Sequence, residues 1–549
     1  MIRTTLITLI LIASSLQAQV QDSSRKSKDE LLRGVNMAFE IYGSVFRELI
    51  YNYVVDINPE ELMNAGINGM LSALDPYTNY TSSSESNEID LMMSDMYVGI
   101  GIQTDTVDGK LTIVNVYRNS PAFHSGLRIG DNIFSVDSTF LLYDDGSNLR
   151  QRTIGKKGTS LTMKVLREGV ADTLIKEITR DEVIISIIPN QTIVRDNIGY
   201  IKLEQFSSGA AQEFKTAFLN LYRRTKLKGM IIDLRENPGG LISSAVEISE
   251  FFLPKEIDIV RTKGRNKNEF TYKTLMNPID TNIPLIIIIN ENSASASEIL
   301  AGAFQDLDRA LIVGTRSFGK GLVQSVDEVP YGGSIKVTTA KYYIPSGRCI
   351  QKLDYKIAKD KKGLSLHHDS VFYTRNQRPV YESSGIQPDV FVDHDTLNNY
   401  CRILEDKLAF FRFANKYTGP LDTLSIDFSV DDKLLTEFRI YTSQIGIKTD
   451  GDYYQRLIAL KNDSKQHLGK NLQLKLDNLI KDFEKLGNKD FEQNKEYVRK
   501  RLNQEILMRF YSFEAVEEKF FDTDKTIQKS IELMLSEEID RILSSPKTK

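Results

Sequence analysis

Several residue types are scarce in this sequence, and each scarcity removes a class of function. Cysteine occurs twice in 549 residues, at Cys349 and Cys401. Two cysteines without C-x-x-C spacing are too few for a zinc site of that kind. An exported chain could join them, but their separation leaves the pairing open. Histidine occurs five times, at His124, His367, His368, His394 and His467. The "HHD" at 367–369 sits in a polar stretch and reads as solvated loop rather than a metal site. Charge of one sign is not in excess. The formal net charge of −4 asks for neither nucleic acid nor an anionic membrane surface. Beyond the N-terminus no apolar run approaches the length of a spanning helix. What is present, 41% hydrophobic and 26% charged residues, is ordinary for a globular protein. The length predicts several domains.

The N-terminal "MIRTTLITLILIASSLQAQ" has a basic Arg3, an apolar run over 6–12 and small residues before Ala18. This pattern predicts a signal peptide over residues 1–18, and hence a periplasmic or secreted protein, with a retained membrane anchor as the alternative. No cysteine lies near the cleavage point, which argues against a lipoprotein. Residues 30–90 form an expected helical region, with Leu32, Val35, Phe39, Tyr42 and Phe46 at helical spacing. The segment "LDPYTNYTSSSES" closes it with turn and cap residues. Residues 91–180 are β-rich, alternating around the hairpin signal Asp108-Gly109. Over 181–395, strands such as "IGYIKLEQF", "GMIIDLREN", "PLIIIINEN" and "RALIVG" alternate with amphipathic helices. That alternation predicts a layered, largely parallel α/β core. Residues 396–549 read as charged amphipathic helices.

Three segments carry candidate chemistry. In "NENSASASEILAGAFQD", Ser295 falls where a strand ends and a helix begins. Ser295 and Glu298 match S-x-x-E, a capping box. The same position suits a nucleophile, because a helix N-terminus favours developing negative charge. A serine nucleophile needs a base, and no histidine lies in the α/β segments that hold Ser295. His394, between two aspartates, is a weak candidate. The better base is Lys320 in "GTRSFGKGLVQ", flanked by glycines. It must be neutral to act, so its pKa must fall from about 10.4, which burial can achieve. Gln324 could orient its amine. Residues 314–320 also spell G-x-x-x-x-G-K, most of a phosphate-binding loop, but Gly321 stands where the Mg²⁺-holding Ser or Thr should be. In "DLRENPGGL", the glycines serve a strand-to-helix turn, and a bare glycine N–H there can approach a substrate carbonyl.

Taken together, "LDPYTNY", "VGIGI", "SPAFHSGLRIGD", "IGYIKLEQF", "DLRENPGG", "NENSASASEILAGAFQD", "GTRSFGKGLVQ" and "YYIPSGR" resemble the carboxy-terminal processing (tail-specific) proteases, over residues 35–395. The resemblance implies a multi-domain α/β protein. It has a ClpP/crotonase-like peptidase core, an inserted PDZ domain, and helical N- and C-terminal regions. It implies Ser295 as nucleophile, Lys320 as general base, Gln324 as the residue orienting that lysine, and the N–H groups of Gly240 and Ala296 as the oxyanion hole. Ser293 and Ser297 become neighbours, Ser297 a structural one. Tyr97, Val98, Gly99, Ile100, Gly101 and Ile102 become the carboxylate-binding loop of the PDZ groove. No metal or cofactor is called for. The expected partners are protein substrates with accessible C-terminal tails, and an adaptor or a second copy of the chain docking through the C-terminal helices. A non-catalytic PDZ scaffold is the alternative, disfavoured by the intact Ser–Lys–Gln set.

Overall fold

The structure, a computed structural model, describes residues 29–82, 96–141, 147–265, 268–352, 370–382, 385–393, 399–447, 451–463 and 469–544. The expected signal peptide lies outside the described residues, as do His367, His368, His394 and His467. Among the described residues, no helix is long and apolar enough to cross a membrane. The chain divides into two compact units.

The first unit holds the N-terminal residues to Thr81 together with 326–337. Helix α1 covers 29–52 and α2 covers Pro59–Leu71. Pro59 at the first helical position and the Asn58 side chain, which accepts the Glu60 N–H at 3.0 Å, start α2. The hydroxyl of Tyr42 occupies the space a side chain at Gly66 would need. Strand β1 (Asn79–Thr81), inside a stretch that reads as turn, pairs antiparallel with residues 334–336.

The second unit begins with a small β domain. Its elements are β2 (Met96–Gly99), β3 (Ile102–Val107), β4 (Lys110–Val116), α3 (Pro121–His124), β5 (Asn132–Val136), β6 (Thr139–Phe140), α4 (Ser147–Thr153), β7 (Ser160–Leu166), β8 (Leu174–Thr179) and β9 (Asp181–Ile184). The sheet order is β3-β4-β5-β7-β8, with β6 on β5 and a separate β2–β9 ladder. Asp108 and Gly109 both take positive φ, 54° and 72°, which a two-residue hairpin turn of this twist demands.

The α/β core follows: β10 (Asn190–Val194), β11 (Ile198–Lys202), α5 (Ala210–Arg224), β12 (Gly229–Asp233), α6 (Ile242–Glu250), β13 (Asp258–Gly264), β14 (Glu269–Lys273), β15 (Leu285–Ile289), α7 (Ala296–Asp306), β16 (Leu311–Gly314), β17 (Leu322–Val329), β18 (Gly333–Tyr343), β19 (Val371–Tyr373), β20 (Pro379–Tyr381) and β21 (Val390–Phe391). The main sheet runs β10-β11-β12-β15-β16-β21, parallel from β11 onward with β10 antiparallel at the edge. Both faces of β12 and β15 are covered, which is why they read as unbroken apolar runs. Alternate residues serve opposite faces. Met230, Ile232, Leu285 and Ile287 join Phe214, Phe252 and Phe304 on the side of α5, α6 and α7. The other face carries Ile231, Ile286, Ile288, Leu311 and Val313.

That second face is covered from the far end of the chain. Helices α8 (Asn399–Asp406), α9 (Ala409–Thr418), α10 (Asp432–Gln444), α11 (Gly451–Asp463), α12 (Lys470–Gln493) and α13 (Lys495–Leu507) come first. Many of them share a core around Phe410, Phe413, Phe438 and Leu502. Then α14 (Phe513–Lys519), α15 (Lys525–Leu535) and α16 (Glu538–Ser544) follow, and Phe521, Ile527, Ile531, Leu533 and Ile539 pack on the main sheet. The strands β13, β14, β17 and β18 fall in stretches without a clear period in the sequence. There β13 pairs with β14 and with β18.

Candidate active site

Ser295 ends the link between β15 and α7, with φ 55° and ψ −113°. A non-glycine residue in this region of backbone space is strained and persists only where its surroundings over-determine it. Here they do. The Ser293 hydroxyl donates to the Leu234 carbonyl at 2.7 Å, and the Ser297 hydroxyl to the Asn237 carbonyl at 3.0 Å. The Ala294 N–H also donates to the Asn237 carbonyl, at 3.0 Å. The two neighbouring serines thus stitch the Ser295 loop to the turn that follows β12.

That turn contains Gly239 (φ 100°) and Gly240 (φ 143°). A Cβ on Gly239 would lie 2.7 Å from Ser295 Cβ and 2.8 Å from the Ala296 nitrogen. A Cβ on Gly240 would lie 2.3 Å from the Phe206 carbonyl oxygen. Gly239 and Gly240 are therefore glycine by contact as well as by φ. Phe206 N–H donates to the Gly239 carbonyl at 2.9 Å, and Leu241 N–H to the Phe206 carbonyl at 2.8 Å. Neither bond uses the Gly240 N–H. Ala296 opens α7, so its N–H is among those a helix leaves without an internal partner.

Glu298 is wholly buried and does more than cap a helix. Its Oε2 accepts the N–H of Ser295 at 2.9 Å and of Lys320 at 2.9 Å. Its Oε1 accepts the Ser317 hydroxyl at 2.5 Å and the Gly319 N–H at 2.7 Å. Burial pushes its carboxyl up to about 7, against the pull of these four donors. This also explains the phosphate-loop likeness of 314–320. The backbone N–H groups of Gly319 and Lys320 do cradle an anion, and the anion is a glutamate of the same chain. On the opposite side, the Tyr342 hydroxyl lies 3.2 Å from the Ser295 carbonyl oxygen and 2.5 Å from that of Lys320. The backbones of Ser295 and Lys320 are thus held to each other through one carboxylate and one phenol. In the sequence this shows only as the S-x-x-E pattern, which by itself says cap, and as the first tyrosine of "YYIPSGR", which carries no local signal.

Gln324 stands on β17, and its Nε2 is 3.4 Å from Thr338 Oγ1 on β18. The six expected groove residues lie in the β domain. Tyr97, Val98 and Gly99 belong to β2, paired with β9. Ile100 is buried in the domain core, Gly101 takes φ 84°, and Ile102 opens the edge strand β3. Cys349 and Cys401 are both buried and are not joined in a disulfide.

A second polar cluster sits at the carboxyl ends of β11 and β12. Asp233 is fully buried and takes the Tyr200 hydroxyl at 2.9 Å and the Arg235 guanidinium at 2.6 Å. Burial alone would raise its pKa, but the adjacent Arg235 outweighs this and holds it below the usual carboxylate range. Arg235 reaches on to Asp524 at 2.9 Å, and Lys202 pairs with Glu517 at 2.7 Å. Arg235, Asp524, Lys202 and Glu517 line a cavity of about 300 Å³.

The sequence matches "Peptidase family S41" over residues 197–363, "PDZ domain" over 98–175 and "Probable PDZ-protease, C-terminal helical domain" over 401–534. With the fold above, these make it a serine-type peptidase carrying a PDZ domain. It is 34% identical over 314 residues to the carboxy-terminal-processing protease of Bartonella bacilliformis, covering 56% of this chain and 72% of that protein. It is 34% identical to the carboxy-terminal processing protease CtpB of Bacillus subtilis, covering 56% of this chain and 64% of that one. Among solved structures, the photosystem II D1 C-terminal processing protease aligns at 25% identity with a TM-score of 0.36, over 65% of this chain and 89% of the other. The chain belongs to the carboxy-terminal processing protease family.

Proposed function

We propose that this chain is an exported endopeptidase that captures protein C-termini in its PDZ groove and cleaves near them with a Ser295–Lys320 dyad. The observation that carries the reading is the double tie between the two backbones: both N–H groups on Glu298, and both carbonyls within reach of the single Tyr342 hydroxyl proton. It is joined by the N–H groups of Gly240, which neither Phe206 bond uses, and of Ala296, in the first turn of α7. Neutral Lys320 removes the Ser295 proton as Oγ attacks the scissile carbonyl. The oxyanion is met by the N–H groups of Gly240 and Ala296. Protonated Lys320 gives its proton to the leaving amine, and the acyl-enzyme forms. Lys320 then activates water to release it. Gln324 is the residue that orients the lysine amine. The edge position of β3 supports tail capture, because a peptide can add there as a strand while the 97–102 segment meets its carboxylate. Export rests on the N-terminal sequence pattern.

The test is cleavage of a model protein with an apolar C-terminal tail by the mature chain and by Ser295→Ala and Lys320→Ala. Cleavage by the parent and none by either variant is expected. Full activity in Ser295→Ala would overturn the assignment.

A further inference from the structure

The C-terminal helical region reaches the turn that carries Gly240, most directly through an aspartate that bonds Arg235. We propose that Asp524 is a positioning residue for this turn, which makes the C-terminal helices part of the catalytic apparatus. The inference rests on the reading of Gly240 as an oxyanion donor.

Asp524 divides its two oxygens between two tasks. Oδ1 caps α15, accepting the N–H groups of Thr526 at 3.0 Å and Ile527 at 2.9 Å. Oδ2 accepts Arg235 Nη1 at 2.9 Å. The rest of the Arg235 fork is on Asp233, through Nε at 3.0 Å and Nη2 at 2.6 Å. A planar guanidinium held by two carboxylates has its direction fixed. The chain runs directly from Arg235 into the turn. Glu236, at φ 63°, donates its N–H to Asn290 Oδ1 at 3.1 Å and holds the Asn290 and Asn292 amides at 2.6 and 2.7 Å. Asn237 Oδ1 accepts the Gly239 N–H at 2.9 Å. The nucleophile loop therefore holds the turn on one side, and Asp524 holds it on the other.

A second grip runs in parallel. Glu517 of α14 takes Lys202 Nζ at 2.7 Å and Asn190 Nδ2 at 3.1 Å. Lys202 also lies over the Phe513 ring, 4.6 Å from its centroid. Leu203, the next residue, offers its carbonyl to Asn237 Nδ2 at 2.7 Å. Both grips come from the same helical region, and both end on the turn. An oxyanion donor acts only where it is aimed before the charge develops.

A purely structural Asp524 would act as a cap alone, and substitution separates the two roles. Asp524→Asn and Asp524→Ser both keep good caps. Asparagine then turns an amide N–H₂ towards Arg235 Nη1, and serine is too short to reach it. Both variants should melt with the parent, and binding of a tail peptide to the protein should not change. Each should cleave about tenfold more slowly with KM unchanged, a fraction of the loss seen when an oxyanion donor is removed outright. A peptide boronate, which bonds to the serine oxygen and places an oxygen in the hole, should lose affinity by the same factor. Glu532→Gln, in an exposed pair on α15, is the control and should match the parent. If Asp524→Asn or Asp524→Ser fails to fold, Glu517→Gln leaves the α15 cap intact and must show the same split. Full kcat in these variants, or a loss that follows the melting temperature, overturns the inference. Ser295→Ala assayed alongside separates the failures. Activity there sinks the underlying dyad; inactivity there with an unaffected Asp524→Asn sinks only the role of Asp524.

Discussion

Glu298 is surrounded by donors: the Ser317 hydroxyl and the N–H groups of Gly319, Lys320 and Ser295. Only the ionised carboxylate can accept from all four, yet burial pushes its pKa up to about 7. The consequences for stability and activity have opposite signs. Between the ordinary carboxylate range and about pH 7, the folded chain keeps a proton that the unfolded chain has lost. The contribution of this residue to stability is thus greatest at low pH and declines as pH rises through that window. Activity should do the reverse, because protonation removes an acceptor from the Ser295 and Lys320 backbones. The acid limb of kcat, set by the proposed base, should steepen below about pH 7, where Glu298 protonates as well. In Glu298→Gln the extra steepness should vanish and kcat should fall more than about tenfold, since an amide leaves two buried donors unmet at about 1–3 kcal/mol each. An unchanged pH profile in Glu298→Gln would refute the role. Gly239→Ala tests the same contact from the other side. Its Cβ would sit 2.6 Å from the Ala294 carbonyl oxygen and 2.7 Å from Ser295 Cβ. A loss of kcat of about a hundredfold is expected, on the scale of losing an oxyanion donor.

Elements with a clean period were legible in the sequence, and those without one were not. The runs "GMIIDLREN" and "PLIIIINEN" announced β12 and β15 because both faces of each strand are buried. The hydroxyls of "SASAS" announced a helix mouth. Strands β17 and β18 carry mostly half-exposed residues, so neither alternation nor an apolar run marks them. Glu298 was visible as a cap, but its bonds to Ser317, Gly319 and Lys320 join segments about twenty residues apart, and no local pattern encodes those. The largest omission is that α15 and α16 close the second face of the sheet. The amphipathic pattern of α15 says that one face is buried, not against what. A prediction follows from the packing. Deleting 525–544 would bare Ile231, Ile286, Ile288 and Val313 on the sheet, and the product should be insoluble or unfolded rather than a working peptidase. Ile531→Ala, at a buried position of α15, should cost about 2–5 kcal/mol in urea unfolding. A soluble, active deletion product would show that the sheet tolerates an open face.

At the scale of the whole second unit, the C-terminal helices touch both the peptidase sheet and the PDZ domain. Arg128, beyond α3, donates to the carbonyls of Leu421 at 2.8 Å and Asp422 at 3.1 Å, and its guanidinium lies 5.4 Å from the centroid of the Phe510 ring. Gly130 and Gly169 bring the PDZ backbone against Asn415 and Pro420: a Cβ at Gly130 would collide with the Asn415 amide, and one at Gly169 would press on the Pro420 ring at 3.1 Å. Arg412 and Asp108 add an ion pair at 2.7 Å. These contacts differ in weight. The Arg412–Asp108 pair is largely exposed on its acidic side and should contribute about 0–1 kcal/mol. Arg128 is partly buried, makes two charge-assisted bonds and stacks on a ring, so its loss should dominate. Arg128→Ala should therefore loosen the seam while Arg412→Ala leaves it nearly intact. Amide hydrogen exchange reads this directly: faster exchange at 126–131 and 419–424 is expected in the first variant alone. Tail-peptide affinity should be unchanged in Arg128→Ala, because its guanidinium bonds to 421–422 and not to β2 or β3. If the helical region relays tail capture to the turn at Gly240, Arg128→Ala should also lose part of the difference in cleavage rate between tailed and tailless substrates. Equal exchange in the parent and in Arg128→Ala would mean that the glycine contacts alone hold the domain, and that the seam is set by shape rather than by charge.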